Sequence, residues 1–322
     1  MSVRHSLSRA PLRVSRVAVM SCLVSSLSFG LTTDGRAQSA TSAQTTGMRP
    51  ATLASVNIAL GASVAGVHAL WAGRPVRAAM WRGAIGGSVM AGGFAVSTSR
   101  VDIARLASGQ VVAIGASIAR NAGDGAPMLS RLTFPLSPLI LEHQRDSSGH
   151  GSWRTRVSAG ALFGLAARGA SRQGMQLDLR STLTTGALVF RTSSPTFSVG
   201  VNCPVGVSCF RAGNENLGTV AYAANRTRAE RSETLRHESV HLAQRSRDLI
   251  LLGAPLGDWA SSRGGVVGRS LGRLLVLDGL MPLDLTDQLT SRWGGAYQGW
   301  YEREARAVAP GSAASFRLSS AR

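Results

Sequence analysis

The run TRAERSETLRHESVHLAQRSR, residues 227–247, decides how the C-terminal part of this chain folds. It holds no Gly or Pro, and Thr227 with Glu230 three residues later is a capping-box start, so the run predicts a helix over residues 228–247. Leu235 and Leu242 share an apolar side with Ala243, which predicts packing on one face and display of the other. On such a helix His237 and His241 stand four apart, separated by about 40° in azimuth, so both imidazoles can reach one ion. Glu238 follows one position round, within reach of a water held by that ion. The pentapeptide His237-Glu238-Ser239-Val240-His241 is therefore a candidate hydrolytic metal site, with the two His as ligands and Glu238 as general base.

A catalytic zinc takes three protein ligands and keeps one position for water. The extended motif H-E-x-x-H-x-x-G-x-x-H is absent, because Gln244 and Arg247 stand where its Gly and second-turn His belong. Downstream of His241 the Glu residues are Glu302 and Glu304, in Trp300-Tyr301-Glu302-Arg303-Glu304-Ala305. This pairing resembles the gluzincins, the thermolysin-like and prenyl-protease-like zinc peptidases, where a Glu on a second helix completes the His pair in an aromatic-E-x-x-A setting. It is also similar to uncharacterised exported or membrane-associated bacterial proteins with H-E-x-x-H followed by W-x-E-x-E-A. The resemblance covers roughly the last hundred residues. It implies Zn2+ as cofactor, Glu302 as third ligand with Glu304 as the rival, and metallopeptidase activity on a peptide or protein substrate.

Thermolysin-like sites carry an Asp four residues after the ligand Glu, and here Arg306 occupies that place. The group that orients a ligand His must then come from elsewhere, with Asp258, Asp278, Asp284 or a backbone carbonyl as candidates. Tyr301 is the candidate donor to a developing oxyanion, with Tyr297 and Tyr222 as alternatives. Residues 217–222 read as an edge strand able to take an extended substrate by strand addition.

A chain of 322 residues can bury one large or two ordinary cores. Its net charge of +18 invites a nucleic-acid reading, but all 35 basic residues are Arg, scattered and with few aromatics between them. That pattern reflects a compositional bias rather than a phosphate-binding surface, and no nucleic-acid partner is expected. Residues 1–37 read as a signal peptide: Arg4, Arg9, Arg13 and Arg16 precede an uncharged run over 17–31 and a Gly35-Arg36-Ala37 cleavage site. Export to the periplasm, cell envelope or extracellular space follows, with an uncleaved anchor as the alternative. Cys203 and Cys209 flank a Pro and Gly turn and suit a short-loop disulfide, or else a two-thiolate metal site or free thiols.

The expected fold class is α+β. Residues 38–50 form a linker, and 51–125 a Gly/Ala-rich helical region with charge-free runs over 51–73 and 83–99 and a Gly83-x-x-x-Gly87 spacing. Asn57, His68 and the many small residues favour buried, close-packed helices there over a membrane hairpin, although membrane association stays open. Residues 126–222 form a β-rich region with strands near 132–136, 139–143, 176–180, 188–191 and 196–199. His143 and His150 read as surface residues. Residues 223–310 form the zincin-like helical region, ending in a helix over 294–309 that returns the Glu pair to the histidines, and 311–322 a disordered tail. The reading from another class is a non-catalytic envelope or membrane-associated protein whose Gly/Ala-rich helices are the functional part.

Overall fold

The computed structural model describes residues 50–97, 99, 101–170, 174–193, 197–199, 210–212, 215–216, 219–225, 227–276, 304–305 and 308. The expected signal peptide and tail, the Cys203–Cys209 pairing, Tyr297, Tyr301, Glu302, Asp278 and Asp284 lie outside these residues, as does the linker up to residue 49. All described residues belong to one unit, Gly47–Arg322.

Three helices of equal length come first: α1 (Pro50–Trp71), α2 (Val76–Ser97) and α3 (Asp102–Gly123). Glycine lets them approach closely. A Cβ on Gly61 would lie 2.4 Å from the Gly83 carbonyl oxygen, and one on Gly87 would lie 2.5 Å from that of Asn57. The Gly83-x-x-x-Gly87 spacing is thus a helix–helix contact, and Gly86 against Gly115 repeats it between α2 and α3. Met90, Phe94 and Val112 fill the space that remains.

The middle of the chain is mixed. Strands β1 (Arg131–Leu136), β2 (Leu139–Arg145) and β3 (Gly151–Ser158) form an antiparallel meander, followed by α4 (Ala159–Ala170). Next come β4 (Gln176–Leu177), α5 (Leu179–Thr185), β5 (Leu188–Thr192), β6 (Phe197–Val199), β7 (Phe210–Ala212), β8 (Glu215–Asn216) and β9 (Thr219–Ala223). A second sheet has the order β4-β5-β9-β8, with β5 and β9 parallel, while β6 and β7 pair alone. The strand expected over 176–180 stops at Leu177. Asp178 turns the chain by accepting from the Ser181 N–H at 3.2 Å, which caps α5. The edge strand expected over 217–222 is also corrected. Within that run β9 is interior, because Val220 and Thr219 face Glu215 and Asn216 of β8 while β5 lies on the other side.

The long helix α6 (Arg228–Asp248) then begins with the expected capping box: the Thr227 hydroxyl accepts from Glu230 N–H at 3.3 Å, and Glu230 accepts from Thr227 N–H at 2.8 Å. A π-helical turn (Leu249–Gly253), α7 (Ala254–Arg263), α8 (Gly265–Leu274) and β10 (Leu275–Val276) follow, and β10 joins β3 in parallel. One expectation about α6 fails. It does not pack on a single face: nearly all of it from Thr234 to Asp248 is buried. Leu235 and Leu242 pack with Val189, Val220 and Tyr222 of the second sheet, whereas Val240 and Ala243 join the core of Met90, Phe94 and Val112. A charged helix can sit in the middle of a protein only if its charges are paired there.

Candidate functional site

The His pair sits on the middle turns of α6. His237 is buried and His241 half-buried, and their Nε2 atoms are 3.1 Å apart. That distance is a hydrogen bond between the rings; two nitrogens each about 2.0–2.1 Å from one tetrahedral ion would be separated by about 3.3 Å, so a shared ion would have to replace this bond with a small opening of the rings. The helix sets this distance, since residues four apart stack one above the other.

What the second ring nitrogen of His241 does decides whether Nε2 can bind a metal. His241 Nδ1 lies 2.8 Å from Gln244 Oε1, and Gln244 Nε2 donates to Glu304 Oε2 at 2.9 Å. A carboxylate only accepts, so the Gln244 amide must turn its NH2 toward Glu304 and its oxygen toward His241. His241 therefore carries its proton on Nδ1, and its Nε2 accepts from His237 Nε2–H, a proton that an ion shared by the two rings would displace. Glu304 is itself fixed. It is fully buried and also accepts from Arg247 Nη1 at 2.9 Å and from Asn57 Nδ2 at 3.3 Å. Arg247 Nη1 donates to Asn57 Oδ1 at 3.1 Å and Arg247 Nε to Asp248 Oδ1 at 2.9 Å, with the guanidinium carbon 5.4 Å from the centre of the Phe94 ring. These contacts pair Arg247 and Asp248, two of the buried charges of α6.

Gln244, Arg247 and Asn57 entered the sequence reading only as departures from a motif and as a polar interruption. Gln244 lies three residues after His241, on the same helix face, and that spacing was the available signal. Nothing local in sequence links Asn57 to Glu304.

The other expected groups stand as follows. Glu238 is buried on α6, about 60° round the helix from His241. Glu304 is brought to α6 one turn beyond the His pair, with both its oxygens taken by Gln244, Arg247 and Asn57. Among the described residues Asp258 meets arginines rather than a histidine. It binds Arg120 at 2.6 Å, Arg131 at 3.1 Å and Arg156 at 3.4 Å, because three guanidinium groups converge on it between α3 and the first sheet. The Tyr222 hydroxyl is committed to Asp178, and burial together with that carboxylate raises its pKa and keeps it protonated. His150 is exposed beside Asp146, and the His143 ring lies 4.9 Å from that of Trp153. On another side of α6, a cavity of about 40 Å³ is lined by Gln110, Ser137, Ser158, Ser239 and Leu242, and neither His237 nor His241 borders it.

Among the described residues no group of three or more His, Cys, Asp or Glu is arranged to hold a metal ion, so the His pair would need its third ligand from outside them. Comparison of the chain with protein-family models, with curated proteins and with solved structures gives no match.

Proposed function

We propose that the chain is an exported zinc-dependent hydrolase, a metallopeptidase of the gluzincin kind, with His237, His241 and Glu302 as the metal ligands and Glu238 as general base. The observation that carries this reading is the 3.1 Å approach of the two Nε2 atoms on one helix, with the Gln244 amide holding the His241 proton on Nδ1. Zinc, when bound, supplies a Lewis acid that acidifies a water and polarises a carbonyl. Glu238 takes the proton from the attacking water and passes it to the leaving amine of a peptide. Gln244 and Glu304 keep His241 in the ligating tautomer. Tyr301 is the proposed oxyanion donor, since the hydroxyl of Tyr222 is engaged by Asp178. Export rests on the Arg-led apolar run of the first 37 residues.

The test is hydrolysis of a quenched-fluorescence peptide library by the wild type and by Glu238→Gln, with zinc content measured on both. The expected result is a rate lower by roughly 10²–10⁴-fold in Glu238→Gln at unchanged zinc content. Equal rates in the two proteins would remove Glu238 from the chemistry and the hydrolase reading with it.

A further inference from the structure

The tip of the α1–α2 hairpin carries a surface that the proposed catalytic role does not use. Leu70 and Trp81 are 60% and 72% exposed, and Trp71 and Met80 stand beside them at the two helix ends, also exposed. The turn between them is made by Gly73, at φ +68°, and Pro75. On α2, Arg77, Trp81 and Ile85 recur every four residues and form one outward stripe, and Arg74 and Arg82 are exposed next to it. From residue 51 to residue 99 the chain has no Asp or Glu. Asp124, at the end of α3, is the acid beside this tip among the described residues, next to Gly125 at Arg74, so the three arginines leave it net positive. Large apolar rings held in water beside guanidinium groups suit the boundary between lipid headgroups and acyl chains, where a ring is half-immersed and a cation meets phosphate.

We propose that this hairpin tip docks the protein on the surface of a bilayer that contains anionic lipid. Charge complementarity selects that partner: three arginines against one acid, Asp124, leave the tip positive toward a negatively charged leaflet, each arginine contributing to binding within a screening length of the surface. The mode is docking rather than spanning. Although Ala51–Trp71 is long and apolar enough to cross a membrane, Asn57 on the same helix is buried and bonded to Glu304 and Arg247. Thus α1 is fixed to the protein interior at Asn57, and its large exposed apolar side chains, Leu70 and Trp71, lie at the hairpin end.

The experiment uses the full chain with phosphatidylcholine vesicles, with and without phosphatidylglycerol. Binding is measured by flotation, and ring depth by quenching of tryptophan fluorescence with brominated lipid. Because residues 17–31 can bind lipid by themselves, the readout is the difference between full-chain variants: Arg74→Gln, Arg77→Gln and Arg82→Gln singly and together, Trp81→Glu, and Trp81→Phe as the fluorescence control. All these positions are exposed, and thermal unfolding checks that each variant folds; should Trp81→Glu fail, the arginine series decides alone. Binding to the anionic vesicles should fall roughly fivefold for each arginine removed, reverse with salt, and lose part of its quenched component in Trp81→Phe, the rest being that of Trp71. Equal binding to both vesicle types, or binding unchanged in the arginine variants, overturns the proposal. So does binding that resists salt, which would mean insertion, or a dimer in solution that Trp81→Glu converts to monomer, which would assign the tip to a second copy of the chain.

Discussion

Gln244 connects the His pair to the protein interior, and its role follows from which atoms can donate. Glu304 fixes the amide, the amide fixes the His241 tautomer, and the tautomer makes Nε2 the acceptor that faces His237 Nε2 at 3.1 Å. Long-range ¹⁵N correlation spectra of the metal-free protein above the His titration range should show His241 in the Nδ1–H form; the Nε2–H form would break this chain of inference. Gln244→Leu removes the acceptor at similar volume and should weaken zinc binding about 10–100-fold, read by competition with a fluorescent chelator. Glu304→Ala should cost about 3–5 kcal/mol of stability in a denaturant titration, since it deprives the buried Arg247 of a partner. The motif residues were legible in sequence because the helix period alone brings them together. Their support was not, because Asn57 and Glu304 reach Arg247 from 190 and 57 residues away.

At the scale of elements, α6 was legible down to its cap, since Thr227 and Glu230 act locally. Its burial from Thr234 to Asp248 was hidden, because a helix with so many arginines reads as a surface helix until the partners of those arginines are known. The stretch after Gln176 shows the reverse error: alternating Leu suggested a strand, and Asp178 with Ser181 instead started α5. Close packing of α1 on α2 was readable from the small-residue spacing. Gly87→Ala should cost about 1–3 kcal/mol, as the new methyl group would meet the Asn57 carbonyl oxygen at 2.5 Å and the backbone on both sides would have to part.

For the whole molecule, the mixed helix and sheet class was legible, while the joints between the parts are charged and long-range. Arg120 and Arg131 bring α3 and β1 to Asp258 of α7, and Arg156 of β3 reaches both Asp258 and Glu142 of β2. Burial raises the Asp258 pKa, but the charges of Arg120, Arg131 and Arg156 outweigh it and leave the carboxyl below its ordinary 3.8. Burial and the neighbouring Arg131 pull Arg120 to about 10, still charged at neutral pH. A depressed carboxyl contributes stability that is present above its unfolded pKa and is lost as pH falls through the lower folded value. The midpoint of thermal unfolding should therefore drop below about pH 4, and Asp258→Asn should lower it near neutral pH and flatten this acid limb. Zinc per chain by elemental analysis after dialysis, for wild type, Glu302→Ala and Glu304→Ala, tests the proposed three-ligand site. One equivalent is expected in the wild type, loss in Glu302→Ala, and retention at weaker affinity in Glu304→Ala. A wild type without zinc, or loss confined to Glu304→Ala, would contradict it.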